Sequence, residues 1–450
     1  MSDSLTMTLA QYATSTSLDK IPAEVRERAK QVILDEMAGA CFARRSTAGE
    51  LAARYAAKFG GAPESTILGT SLRAPAQYAA MANGTAGHGE EVDGAHVAGG
   101  HPAATIVHAA VAMAEAQRVP GAELLNAVVL GFDVGVRLVE ACGGLFVVKN
   151  RFHLHSDFMY AFGGAVAACR IMGLDPMRHC HAMALVSFQA NGTCALFNEK
   201  RHISKSFCNG QYAFAGVSSA QMSASGLEGC EDILGEPHGL FEAWGTGGGR
   251  EAVTRGLGQD YAIMRANFKF INAGYPIHAA VEAAMTLQAR HAIKADAIAS
   301  VHVGMPENTM RVVDNRRMHN ICVQDMVTAA LVQGGLSLRV LPFPTILSNA
   351  IYTRLRAQAT LGVDPGLQRE QPDGRGATVS ITTTDGSKFS NRVDHPRGHC
   401  LRGGVTWSEL SEKWRDGLPQ HDVERMLALA QGLDEIEDVN ELADAFTLPR

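Results

Sequence analysis

The sequence predicts a mainly helical protein. Both chain ends, residues 1–267 and 398–450, build a large helical domain, and a smaller α+β segment is inserted at 268–397. Three observations lead there. Apolar residues recur at helical spacing through the first 260 positions; alternating, β-branched runs begin after Asn267; helical periodicity returns from Thr406.

In the first part, 22–44 places Val25, Ala29, Val32, Ile33, Met37 and Ala40 on one face, with Pro22 at a tolerated first-turn position. Residues 103–117 are apolar nearly all round and read as a buried helix, as do 121–141 and 158–172. The Gly and Ala residues of 161–168 are read as close helix packing. In the insert, 298–305 alternates and stops at Pro306, which predicts a strand. Two alternating runs flank Asp385-Gly386, a hairpin signal, with helical patterns at 276–292 and 323–333. Residues 406–441 close the chain as helix.

Composition excludes several classes. With 450 residues, 46% of them hydrophobic, the chain is long and apolar enough for a packed core, which disordered chains lack. Lys plus Arg number 40 against 46 Asp plus Glu, so the basic excess of a nucleic-acid binder is missing. No stretch of roughly 18 residues is apolar without interruption, and the start Met1-Ser2-Asp3-Ser4 has no basic leader, so neither membrane nor export is expected. Nine cysteines without a CxxC pair read as reduced thiols of a cytoplasmic protein.

Four polar clusters interrupt the apolar helices. The densest, 88–102, holds His88, Glu90, Glu91, Asp93, His96 and His101 among four glycines, with His101-Pro102 leading into a buried helix whose N-terminus suits an anion. The second is Arg151 to Ser156, with His153 and His155. The third runs from Glu199 to Gly210; there Lys205 lies nearest an apolar run, where desolvation would tune its ammonium. The fourth joins Lys269 to His278 at the domain junction, a place where small molecules bind. His153/His155 and His179/His181 lack acidic or thiolate partners at ligand spacing, so no metal is expected. There is no phosphate loop, Rossmann fingerprint, GxSxG or HExxH. What remains is cofactor-independent acid–base chemistry on an anion.

An ordered set of motifs over nearly the whole length resembles the MmgE/PrpD family of 2-methylcitrate dehydratases, cis-aconitate decarboxylases and iminodisuccinate epimerases. The set comprises Leu9-Ala10-Gln11-Tyr12, Ile21-Pro22, Val32 to Asp35, and Asn83-Gly84 through His88, Glu91, Asp93 and His101-Pro102. It continues with Gly131 to Val134 and Arg137, His153, Lys205 with Gly210, Lys269 and His278, Asp385-Gly386, and Val405 to Leu410 with Lys413-Trp414. Glu91, Gly94 and Ala95 stand where the family has Asp, Asp and Thr, Cys208 where it has His, and Asp325 is the nearest counterpart of a Tyr.

The resemblance implies a lid formed by the α+β domain, a homodimer, no cofactor, and a small di- or tricarboxylate as substrate. It further implies abstraction of a proton α to a carboxylate followed by elimination. Lys205, His153, His101, Glu91 and Asp93 are the implied catalytic set, with Lys205 or His153 as base; Lys269, His278, His96 and Lys200 would hold substrate. Epimerisation through the same carbanion, decarboxylation and a non-catalytic binding role are the alternatives.

Overall fold

Helix packing in this protein depends on small residues, and the crossing that matters most joins helix Ala76–Gly87 to helix Ser204–Ala224. A Cβ on Gly210 would lie 2.1 Å from Thr85 Oγ1 and 2.3 Å from the Met81 carbonyl, so only glycine permits the contact. The two helices run antiparallel there, which sets Lys205, at the start of one, against His88, at the end of the other. The computed structural model describes residues 4–235, 237–244, 249–338, 345–370 and 374–448.

The chain is mainly helical, and the long helices fall close to where their periodicity predicts: Ala23–Ala43, Pro102–Gln117, Gly121–Ala141 and Tyr160–Ile171. Pro102–Gln117 and Tyr160–Ile171 are buried along almost their whole length, which is why their sequences are apolar on every face. They belong to one hydrophobic core that gathers residues from Leu5 to Phe268 and from Val405 to Phe446, together with Leu338. The single terminal helix read at 406–441 is in fact three: Trp407–Gly417, Val423–Gln431 and Asn440–Ala445. Pro419 cannot continue the first, and Asp422 caps the second by accepting from the Arg425 amide.

A second core gathers residues from Ala273 to Ile381. It packs helices His278–His291 and Val323–Gln333 with a four-stranded sheet: β1 Ile298–Met305, β2 Ala359–Val363, β3 Ala377–Thr383 and β4 Lys388–Val393. The order is β2-β1-β3-β4, antiparallel except for the parallel β1–β2 pair. The hairpin around Asp385-Gly386 is present, and Gly386 takes a φ of 88°. Strand β2 was not legible, because it is a short edge strand with no fully buried residue. The two stretches that join the cores lie side by side: the Phe268 amide donates to the Gly398 carbonyl at 2.9 Å, and the Cys400 amide to Asn267 Oδ1 at 2.8 Å. No described helix is long and apolar enough to cross a membrane.

Candidate active site

The loop that follows helix Ala76–Gly87 carries its polar side chains inward. His88, Glu91 and Asp93 are all buried, and Glu91 holds a left-handed backbone (φ 56°), a conformation that costs a non-glycine residue of order 1 kcal/mol. That backbone is held by what the carboxylate touches. Lys205 Nζ bonds Glu91 Oε1, His202 Nε2 reaches the same oxygen at 2.8 Å, and Lys269 Nζ takes Oε2 at 2.8 Å. Lys269 also bonds Asp93 Oδ1 at 3.0 Å, and Asp93 Oδ2 accepts from His88 Nδ1 at 2.7 Å. With its Nδ1 proton directed to Asp93, His88 presents a bare Nε2 that accepts from Lys205 at 2.6 Å.

Electrostatics follow from these contacts. Burial alone would push the Glu91 carboxyl up, but the Lys205 and Lys269 ammonium groups outweigh it and hold Glu91 well below the usual carboxylate range. Asp93 is likewise kept ionised against its burial by His88 and Lys269. Burial drives His88 the other way, well below an ordinary imidazole, so it stays neutral. Lys205 itself sits in the first turn of its helix, where an ammonium opposes the helix dipole. Glu199 offsets this by capping that helix: its oxygens accept from the Ser204 and Lys205 amides at 3.0 and 2.7 Å.

Facing this cluster is a second arrangement. His101 occupies the cap position of helix Pro102–Gln117, yet its side chain does not cap. Nδ1 bonds Asp157 Oδ2 at 3.1 Å, which leaves Nε2 directed past Glu91 Oε2 at 4.0 Å. Asp157 is fully buried, and His155 and His101 hold it well below its ordinary range despite that burial. A carboxylate that orients an imidazole through Nδ1 prepares Nε2 to take a proton.

The cavity between the two cores is lined by Glu91, His101, His155, Asp157 and Lys205 from the first core and by Tyr275, Pro276 and Ile321 from the chain beyond it. Of the residues singled out from sequence, Lys205, His101 and Glu91 therefore meet at one cavity, with Asp93 and Lys269 buried directly behind them. His96 lines the same cavity, but both ring nitrogens are engaged: Nε2 with the Ala262 carbonyl at 2.8 Å and Nδ1 with the Ala98 amide at 3.1 Å. Its burial lowers the pKa to about 3. His278 is buried behind Tyr275, Nε2 on the Ala273 carbonyl at 3.0 Å, and is held at about 3 by burial and by Lys269.

Two placements correct the sequence reading. His153 ends helix Leu145–Phe152 in a left-handed conformation (φ 57°) and is exposed; the chain reverses there, and His155 is the histidine that enters the cavity. Lys200 is exposed on the turn before helix Ser204–Ala224 and does not line the cavity, whereas Lys149 does. The sequence-derived site set leaves out His88, Asp157 and His202. His88 and Asp93 stood five apart in the quoted loop, and Asp157 lies two residues beyond His155. His202 lies in the same Glu199 to Gly210 cluster as Lys205, three residues before it.

The departures from the family pattern have plain environments. Ala95 faces the cavity, and the Cys208 thiol donates to the Lys205 carbonyl at 2.9 Å, kept neutral by its burial. Asp325 is tied to Arg356 and, at 2.7 Å, to His319, and does not line the cavity. His88, Glu91, Asp93 and His101 bring four ligand atoms within 4.8 Å of one another. The donor set suits a divalent ion poorly, because Lys205 and Lys269 already neutralise its two carboxylates.

The MmgE/PrpD N-terminal domain matches residues 7–251 and the MmgE/PrpD C-terminal domain residues 272–434. Cis-aconitate decarboxylase of Homo sapiens is 24% identical, with 98% of this chain and 94% of that protein covered. Cis-aconitate decarboxylase of Aspergillus terreus is also 24% identical, covering 99% and 96%. A cis-aconitate decarboxylase-like protein of Aspergillus oryzae is 25% identical over 91% and 90%. With both domains matched in order along most of its length, the chain belongs to the MmgE/PrpD family.

Proposed function

We propose that this protein is a cofactor-independent lyase that removes a proton α to a carboxylate of a small di- or tricarboxylate and then expels a leaving group, as a 2-methylcitrate dehydratase does. The observation that carries the reading is the His101–Asp157 pair facing the Lys205–Glu91–Lys269 cluster across one cavity.

The two sides divide the work. His101 Nε2, oriented by Asp157, takes the proton; the C–H electron pair moves into the carboxylate as an enediolate. Lys205 is an ammonium held by Glu91 and His88, so it is a donor and not the base. It stands where the new negative charge develops, and a fixed donor at that point gives the larger part of the barrier reduction. The carbon–oxygen bond to the departing hydroxyl then breaks as that oxygen accepts a proton from the His101 imidazolium, which returns to its neutral form, and water leaves. His88, Asp93 and Lys269 keep Lys205 and Glu91 in register.

Decarboxylation is the second reading, and the names of the relatives favour it. The same residues serve it: the bond to the departing carboxylate breaks, carbon dioxide leaves, and His101 or Lys205 protonates the carbanion. In both readings the segment 268–397 acts as a lid, supported by its share of the cavity wall. The proposal includes the homodimer, which sedimentation of the purified protein tests.

The deciding experiment follows 2-methylcitrate, citrate, cis-aconitate, iminodisuccinate, malate and tartrate by NMR in D₂O. A deuterated product with a new alkene supports the dehydratase, and loss of carbon dioxide supports the decarboxylase. Inversion with deuterium but no elimination turns the reading to an epimerase. Absence of exchange on every compound sinks the lyase proposal and leaves a binding role.

A further inference from the structure

Beside the cavity that holds Lys205 and His101 lies a second one, about 490 Å³ in volume, and the two share Leu145, Phe146 and Arg375 as walls. Helix Gly121–Ala141 brings Arg137 and Glu140 to it, the chain that follows brings Arg255, Asp260 and Arg265, and the inserted segment brings Arg375. Four arginines thus meet two carboxylates at one cavity, in a chain whose overall net charge is −6.

The carboxylates do not use up these charges. Arg265 commits one terminal nitrogen to Glu140 at 2.5 Å, and its Nε is buried with no hydrogen-bond partner. Asp260 is exposed at the rim and, among the described residues, forms no ion pair. Arg137 is buried, and its terminal nitrogens donate to backbone carbonyls, those of Arg255 at 2.6 Å, Asp260 at 3.0 Å and Gly256 at 3.3 Å. Carbonyl dipoles fix this guanidinium in place but supply no counter-charge, and its Nε is also without a partner. Arg255 is exposed, and its side chain makes no hydrogen bond or ion pair among the described residues. Arg375 lies over the Phe146 ring at 5.0 Å and donates to the Val97 carbonyl at 3.3 Å, on the partition between the two cavities.

We infer that this second cavity is a binding site for a small multivalent anion, one that presents clustered phosphate or carboxylate oxygens, separate from the place where Lys205 and His101 act. A concave wall of one sign of charge focuses the field and concentrates anions. Guanidinium groups match the oxygens of phosphate and carboxylate with paired donors, so arginines spread over one wall favour an anion with more than one charged group. Because Phe146 and Arg375 belong to both walls, an anion seated here bears on side chains that also shape the first cavity.

Calorimetric titration of the full-length protein with inorganic pyrophosphate and with tricarballylate tests the site without any need for turnover. At least one of the two is expected to bind with a Kd below about 1 mM, and the tighter one tells phosphate from carboxylate. Arg255→Gln and Arg265→Gln are each expected to weaken that binding about tenfold, whereas Lys205→Met leaves it in place. Arg255 is exposed, so its replacement leaves the packing alone and an unchanged melting temperature shows that the lost affinity is local. Weaker binding or none for both probes overturns the inference, as does affinity that stays at the wild-type level in both arginine variants. So does loss of the binding in Lys205→Met, which would put the anion in the first cavity. Because the readout is affinity at other residues, a failure of the D₂O experiment would remove the lyase reading and leave this result standing on its own.

Discussion

Two neighbouring clusters of buried ionisable groups are built from the same residue types. In one, Glu91 and Asp93 meet Lys205, Lys269 and His88. In the other, Glu36 meets His108 at 3.0 Å, and Asp35 meets Lys413 at 2.7 Å and the Trp414 indole at 2.9 Å. Their charge states differ. With no ammonium bonded to it, Glu36 is pushed well above an ordinary carboxyl by burial, and His108 falls to about 3 for the same reason, so that pair is a neutral hydrogen bond. Glu91 and Asp93, each bonded to a lysine, stay ionised. Burial alone therefore does not mark a reactive site. What separates the clusters is that Glu91 and Lys205 of the first line the cavity that His101 and Asp157 also line, and there its ions are kept charged by one another.

The largest effects should separate the two lysines. Lys205→Met is expected to lower kcat/KM at least about a thousandfold, about 4 kcal/mol, with the fold retained, since His202 and Lys269 still answer Glu91. Lys413→Met should instead lower unfolding stability by about 3–5 kcal/mol, because it strands Asp35 in the core, while protein that remains folded keeps its exchange activity. Denaturant titration beside D₂O exchange distinguishes them. If Lys413→Met lost activity at full stability, the division between the clusters would be wrong.

Next in size is the orientation of the base. Asp157→Asn keeps the shape but can no longer accept from Nδ1 with a full charge, so kcat should fall about a hundredfold, about 2.7 kcal/mol, with KM little changed. A merely structural Asp157 would move stability and leave the pH profile of kcat in place; the expected result is a shifted profile with an unchanged melting temperature.

These residues were unequally legible in the sequence. The helices that form the first core announced themselves because they are apolar on every face, and the hairpin because Asp385-Gly386 interrupts two alternating runs. Glu91, Asp93, His101 and Lys205 could be picked out as polar residues beside buried helices. Asp157 could not, because its role exists only once helix Pro102–Gln117 is laid beside the 155–160 turn. Lys149 was hidden for the same reason, at the end of a short helix with no periodicity of its own. Strand β2 depended on pairing with β1, 54 or more positions away in the chain, which no local pattern encodes.

A smaller effect sharpens the meaning of a buried neutral group. His96 has both nitrogens bonded and a pKa of about 3 in the folded chain, against about 6.5 when unfolded. Below pH 6.5 the unfolded chain takes up a proton that the folded chain refuses, so this contribution to stability is complete above that pH and is lost as pH falls. Measured against His96→Gln, the wild type should lose about 2 kcal/mol of its advantage between pH 7 and pH 5. A gap that is constant with pH would mean that His96 is protonated in the folded state and available for chemistry.

The smallest expected effect belongs to the neighbouring pair His153 and His155. His153 is an exposed left-handed cap whose ring bonds nothing among the described residues, so His153→Ala should change stability by no more than about 0.5 kcal/mol and leave turnover alone. Two residues on, the His155 amide donates to the Gly192 carbonyl at 2.9 Å and fixes the ring in the cavity wall beside Asp157, with burial lowering its pKa to about 4. His155→Ala should therefore alter KM where His153→Ala does not. If the two variants behaved in the reverse way, the cavity described between the two cores could not be the place where substrate binds, because His155 lines it and His153 does not.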